Sequence, residues 1–479
     1  MTSVFTDRFP WLKANAAKTE AHILALYAIR LMGHRMRTMP NPICLALLAC
    51  LFLLAGAATA FCQDGALPDN DPETMDAGPS EAYFAELRDL IHETGLGPNS
   101  IPPINAPNFI SVPDAALGMD DSEHVFVLDY GNPDGVTRIY PRQVLVWHVV
   151  VNEVLGEGKN ARRRSVTYCP VTGCVRGYAG RIDRFDTPFG TLGSLLNGNH
   201  LLFDYSTNSV WPQLTGLAIG GPLQGRKLES FPLVWTTWRR ARLKYPDAQV
   251  LSRATGHRRN YGEDPYGSYN RPDTYYQDER VLHPLASYDD QLPPKTRILG
   301  LQLDNLNVAV VRDSLRRPRA ANFDAGVTPV VSIWDDELDA PRLFDRRVGN
   351  YLLHFVHRDG VYRDVETGTR WHPDGRAVEG RLAGNRLALL DSFDVMWFAW
   401  TAFYPDAALF SWQEALEAKR RAEAEFSPVE QVEPPDPTFE KPQTEVAPSL
   451  PNVNRPQLPK DIPPSIITPD MEIGPEEGL

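Results

Sequence analysis

The feature that most constrains this chain is a pattern that occurs twice. Asp204, Thr207, Ser209 and Trp211 recur 160 residues later as Asp364, Thr367, Thr369 and Trp371. After a one-residue deletion, Ala218, Gly221, Leu223, Gly225 and Leu228 are matched by Ala377, Gly380, Leu382, Gly384 and Leu387. Trp238 then falls on Trp397, and Tyr245, Pro246 and Asp247 on Tyr404, Pro405 and Asp406. Matching aromatic, glycine and turn positions over such a span predict two copies of one fold, 120–250 and 295–410. A period this long makes a tandem domain pair, not a solenoid.

Each copy reads as short strands. In the first they are expected over 125–129, 136–140, 165–168, 175–182 and 201–205, bounded by glycine, proline or asparagine. One helix is expected to open with Pro141 and run toward Leu155, unless the β-branched residues there prefer a strand. A second follows Thr236 and Thr237 and stops at Pro246. The predicted class is therefore α+β: two tandem, mostly antiparallel, β-rich domains with a few helices.

The flanks differ from this body. Residues 1–60 carry six basic and two acidic side chains, and the apolar run 43–58 follows His34, Arg35 and Arg37. Ala58 and Ala60 then supply the small residues of a cleavage site, so 1–60 reads as an extension plus signal peptide. Export to the periplasm or the extracellular space follows, with membrane attachment only if that segment stays uncleaved. A lead-in, 61–119, precedes the first copy. Between the copies, 251–294 is an aromatic connecting loop, a lid over a cleft or simple packing between domains. A polar terminal helix is expected over 411–425. The tail 426–479 holds 13 prolines and ten acidic residues against three basic, a composition that predicts disorder.

The formal charge of the whole chain is −13, and no basic stripe offsets it. Nucleic acid is not an expected partner. The sequence contains no phosphate-cradling glycine loop, nucleophile elbow, zincin motif or dinucleotide fingerprint. Removing the signal takes Cys44 and Cys50 with it and leaves Cys62, Cys169 and Cys174, too few for a disulfide framework.

The candidate chemistry falls in the first copy. His148 sits among valines and leucines, so its imidazole is expected to point inward and stay neutral. Cys169 ends an apolar strand where Pro170 and Gly173 force a turn, and turn N–H groups favour a thiolate. Matching Trp334 and Asp335 to this strand places tryptophan at the cysteine position of the second copy, where 295–340 holds neither cysteine nor histidine. Three readings stay open. Cys169, Cys174 and His148 are inert packing or a small disulfide loop. Or they ligate copper or zinc, with Asn199 or His200 completing the shell. Or Cys169 is a nucleophile with His148 as its base. Thr172, Asn197, Asn199 and Gln213 are candidate ligand-binding residues, although the pair Asn197-Gly198 also suits a plain turn. Asp204 and Trp211 recur and read as framework.

Tyr140, Pro141, Trp147, His148 and Asn152, then Tyr168, Cys169, Pro170 and Gly173, then Asn197, Asn199, Asp204, Trp211 and Gln213 form a motif set. It continues through Trp238, Tyr261, Tyr266 and Trp397. This set resembles the bacterial and archaeal family called domain of unknown function 3179, across most of 120–410. The resemblance implies no settled activity. Many relatives resemble C-x-x-C at this turn, whereas here Thr172 stands at the second cysteine position and Cys174 lies beyond the glycine. The expected function is binding of a transition metal or small ligand in the first copy. The alternatives are an extracytoplasmic thiol enzyme and a non-catalytic interaction scaffold.

Overall fold

In a computed structural model of the chain, the structure describes residues 79–410, apart from 131, 133, 134, 157, 159, 160, 304 and 305. The expected signal segment, Cys44, Cys50, Cys62, the terminal helix 411–425 and the tail lie outside the described residues. Among the described residues no helix is long and apolar enough to cross a membrane. The chain divides into two compact units, one ending at Asp89 and one starting at Leu90. The described part of the first is the helix Glu81–Asp89, along which Arg88 pairs with Glu81. Everything below concerns the second unit.

That unit is built mostly from strands in antiparallel pairs, with a few short helices. One sheet runs in the order Val234–Thr237, His124–Leu128, Arg138–Pro141, Gln249–Leu251, Phe109–Ser111. Another runs Ser392–Met396, Arg297–Leu303, Leu306–Val311, Ala408–Leu409. Each contains one parallel pair, Arg138–Pro141 with Gln249–Leu251 and Leu306–Val311 with Ala408–Leu409. A parallel pair needs a crossover. In both, the long crossover ends in a seven-residue helix: Trp238–Lys244 after Thr237, and Trp397–Phe403 after Met396.

Two further sheets centre on hairpins. Arg162–Cys169 and Cys174–Ala179 form one, flanked by Val150–Leu155 and Ser230–Phe231. Thr328–Asp335 and Ala340–Asp345 form the other, flanked by Ala320–Ala325 and Ala388–Leu389. The recurring aspartates close matching brackets. Asp204 accepts from the Thr207 N–H (2.6 Å), its hydroxyl (2.7 Å) and Trp211 Nε1 (3.2 Å). Asp364 accepts from the Thr367 N–H (2.6 Å), its hydroxyl (3.0 Å) and Trp371 Nε1 (2.8 Å).

The helix expected from Pro141 to Leu155 is shorter. It spans Arg142–His148 and ends where Val149 takes a φ of 62°. Val150–Leu155 then forms a strand against Arg162–Cys169. The β-branched run loses less side-chain freedom in a sheet than in a helix, and a full strand partner is available. Asn197 and Gly198, with φ of 49° and 71°, make the two-residue turn between Phe189–Leu196 and Asn199–Asp204.

Candidate functional site

The hairpin register places Cys169 directly opposite Cys174, as the last pair before the turn. Directly opposed residues point to the same face of a sheet. Both thiols are free and fully buried. The turn is shaped by Gly173 at a φ of 61°, where an added Cβ would stand 3.2 Å from Met396 Cγ and 3.3 Å from the Tyr269 hydroxyl. It is held from outside by the Tyr275 hydroxyl, donating to the Val171 carbonyl at 2.6 Å, and by the Met396 N–H, donating to the Thr172 carbonyl at 2.8 Å.

Burial pushes the Cys169 thiol up. The Thr172 hydroxyl and the N–H groups of His200, Thr172 and Val171 act against it, because each favours the anion. Burial pushes Cys174 up further, well above the usual thiol range. Of the two sulfurs, Cys169 therefore ionises first.

A ring of buried polar side chains surrounds the turn. Asn199 donates to the Thr172 hydroxyl at 3.0 Å and to Gln213 Oε1 at 2.9 Å. Gln213 donates in turn to the Thr167 hydroxyl at 2.9 Å and to the Cys174 carbonyl at 3.3 Å. The Leu214 N–H closes on Asn199 Oδ1 at 2.8 Å. Thr172, Asn199 and Gln213 are thus brought together with the cysteines. Asn197 is not part of this ring: it donates to the Ala402 carbonyl and accepts from the Ala286 N–H, both at 2.9 Å.

His148 belongs to a different cluster. Its Nδ1 lies 2.8 Å from the Pro102 carbonyl, which can only accept, so Nδ1 carries the proton. Nε2 accepts from the Tyr261 hydroxyl at 2.6 Å, and that hydroxyl also meets the Thr255 hydroxyl at 2.6 Å. Burial pulls the imidazole down to about 4, so it is neutral at physiological pH. Both ring nitrogens are engaged, and neither faces a cysteine. Among the described residues, no group of three or more His, Cys, Asp or Glu side chains is placed to hold a metal ion. The donor set His148, Cys169 and Cys174 is therefore not assembled. His200 contributes its backbone N–H to Cys169, while burial pulls its ring down to about 4, with His283 adding to the shift.

The aromatic segment 261–278, expected as a lid or as packing between domains, touches both candidate sites. Tyr261 holds His148, and Tyr275 holds the cysteine turn. Tyr266 and Tyr275 pack against the cluster that contains Cys169 and Cys174. Arg142 anchors the segment through Asp264 and lies 5.3 Å from the Tyr269 ring centre and 5.4 Å from that of Tyr276. Its density of tyrosines was the available signal, but contacts across 104 and 113 positions leave no local pattern.

The second hairpin repeats this build with different chemistry. Asp335 is paired with Ala340 as Cys169 is with Cys174, and Asp339 takes a φ of 53° where Gly173 has 61°. Hairpin register therefore sets Asp335 opposite the role of Cys169 and Trp334 opposite Tyr168, one position from the sequence match. Asp335 Oδ1 accepts from the N–H groups of Glu337 and Leu338, both at 3.1 Å. These correspond in the turn to Val171 and Thr172, whose N–H groups act on Cys169.

A sequence model described as a protein of unknown function (DUF3179) matches residues 98–407. No curated protein and no solved structure matches the chain.

Proposed function

The chain belongs to the DUF3179 family, and we propose that it is an exported, duplicated protein whose first copy carries a thiol-dependent site at Cys169. The duplication is supported by the common strand orders, the paired aspartate brackets and the two equivalent hairpins. Export rests on the apolar run 43–58 and its small-residue exit.

One observation carries the thiol reading. The two turn N–H groups that act on Cys169 correspond by hairpin register to two that, in the second hairpin, donate to the Asp335 carboxylate. A turn that holds an anion in one setting favours a thiolate in the other. Once deprotonated, Cys169 attacks an electrophilic sulfur of an external disulfide and releases one thiolate. Cys174, directly opposite, then displaces the second sulfur and closes a Cys169–Cys174 disulfide. Two protein thiols are oxidised, and the external disulfide is reduced to two thiols. Directly opposed strand residues have Cα atoms about 4.5–5.5 Å apart, within the span a disulfide bridges.

His148 is not the base in this scheme, since Pro102 and Tyr261 occupy its nitrogens. It positions the start of the aromatic segment. Tyr266 and Tyr275 pack in the cluster that buries Cys169, so reaction requires that segment to swing away. A metal centre is the less favoured reading, because among the described residues no third His, Cys, Asp or Glu joins the cysteines.

The test is alkylation of the folded protein, mapped by mass spectrometry across pH 6–9, with metal analysis of the same sample. The expected result is metal-free protein in which Cys169 labels before Cys174 and labels faster in Tyr275→Ala. Two thiols that stay inert in both proteins would leave the interaction scaffold standing. Stoichiometric copper or zinc, lost in Cys169→Ser, would favour the metal centre instead.

A further inference from the structure

A cavity of about 230 Å³ lies away from the cysteines, between Trp235 on one sheet, Arg297 on another and Arg312 in the short 3-10 helix Arg312–Arg316. Arg240 and Arg316 complete a wall of four guanidinium groups. The carboxylates against them are Asp313, Asp339 and Asp394, one fewer than the cations. Asp394 is shared: it pairs with Arg297 at 2.5 Å and with Arg312 at 3.0 Å. Arg297 also stacks over the Trp235 indole at 3.9 Å, and its Nε is buried without a hydrogen-bond partner. Arg312 is 94% buried by its side-chain exposure of 6% and donates to the Trp235 carbonyl at 3.0 Å.

Buried cations are ordinarily matched by anions or acceptors. Of the four, Arg312 is deeply buried and is matched by Asp313, Asp394 and the Trp235 and Asp339 carbonyls, whereas Arg297, Arg240 and Arg316 are 21%, 39% and 45% exposed in their side chains and rely on the shared Asp394 and Asp339. We propose that this cavity is a binding site for a small oxyanion, a phosphate or a carboxylate, held by Arg297 and Arg316 in the space that they line with Trp235. A planar guanidinium presents parallel N–H donors to such a group. The volume is below the usual range for drug-sized ligands and suits a compact anion. The local field agrees. His124 lines the same cavity and accepts from Trp235 Nε1 at 2.8 Å, so its ring is neutral. Burial first, then Arg297, Arg142 and Arg312, pull that ring down to about 3.

Binding is measured on the full chain by calorimetry and thermal shift with inorganic phosphate and, separately, malonate, at constant ionic strength set with chloride. Saturable binding of either is expected, weakened at least tenfold in Arg297→Gln and in Arg316→Gln. Arg316 is 45% exposed in its side chain, so its variant folds even if the Arg297 variant does not. The His124 ring resonance should titrate at higher pH in the bound state, because the added anion offsets the arginine charges. Binding that is absent for both anions, or unchanged in Arg316→Gln, overturns the proposal. Which anion binds separates the phosphate source from the carboxylate source.

Discussion

The cysteine hairpin and the aspartate hairpin share a backbone and differ in how charge is managed. Asp335 has a cation: Lys244, 9% exposed in its side chain, pairs with it. Cys169 has no such cation among the groups that act on it: burial raises it, hydroxyl and amide donors oppose that, and its Sγ donates to the Gly198 carbonyl at 3.9 Å. The polar ring is likewise confined to the first hairpin. Thr167, Thr172 and Cys174 stand where Ile333, Leu338 and Ala340 stand in the second. The same turn can thus hold a carboxylate beside a lysine or a buried thiol beside hydroxyl and amide donors.

Acidification should break the comparison most widely. His124, His148 and His200 are buried and pulled down to about 3, 4 and 4. The unfolded chain takes up these protons near pH 6.5 while the fold resists. Stability from this source is therefore complete above that pH and is lost as pH falls toward 4. Within 295–410, His354 and His372 instead pair with Glu366 and Asp374. Against the desolvation of their burial, these histidines hold both carboxyls below the usual range. Their contribution is present above the ordinary carboxylate pKa and is lost only as pH falls through the depressed values. Hydrogen exchange at pH 5 should accordingly show protection falling in Val150–Leu155 before Val361–Asp364. Equal loss in both would mean that the three imidazoles are not linked to local stability.

Asp335→Ala comes next. It leaves the largely buried Lys244 with only the exposed Glu337 as an ion-pair partner and frees two turn N–H groups. Denaturant unfolding should show a loss of about 3–5 kcal/mol. The bracket aspartates sharpen the likeness of the halves. Asp204→Ala and Asp364→Ala each remove a buried acceptor of several hydrogen bonds. Each should cost about 1–3 kcal/mol. A large gap between the two would show that the brackets are not equivalent. The smallest effect is expected from Thr172→Val, about 1 kcal/mol. It also removes a donor that favours the Cys169 anion, so the alkylation midpoint should move to higher pH.

Local features of the fold were legible at the outset. Asp204 with Trp211, and Asp364 with Trp371, bond within seven positions, so their pattern survives in the sequence. The Asn197-Gly198 turn and the helix after Thr237 were legible for the same reason. The break after His148 was not, because periodicity fits helix and strand alike until a partner strand is known. The equivalence of Cys169 and Asp335 was hidden differently. Their separation is 166, not the 160 of the aspartate brackets, and only pairing across each hairpin reveals it.

By itself the amino-acid order determined the strand-rich class, the recurring bracket and turn chemistry, the family, and the choice of Cys169 and His148 as residues to watch. Each depends on residue type and short spacing, which a linear text preserves. Tertiary structure alone decided that those two side chains face different neighbours, that segment 261–278 touches both, and that four arginines from distant positions share one cavity. Such outcomes depend on which surfaces meet after the chain has closed on itself, and hydrogen bonds spanning a hundred residues have no local signature.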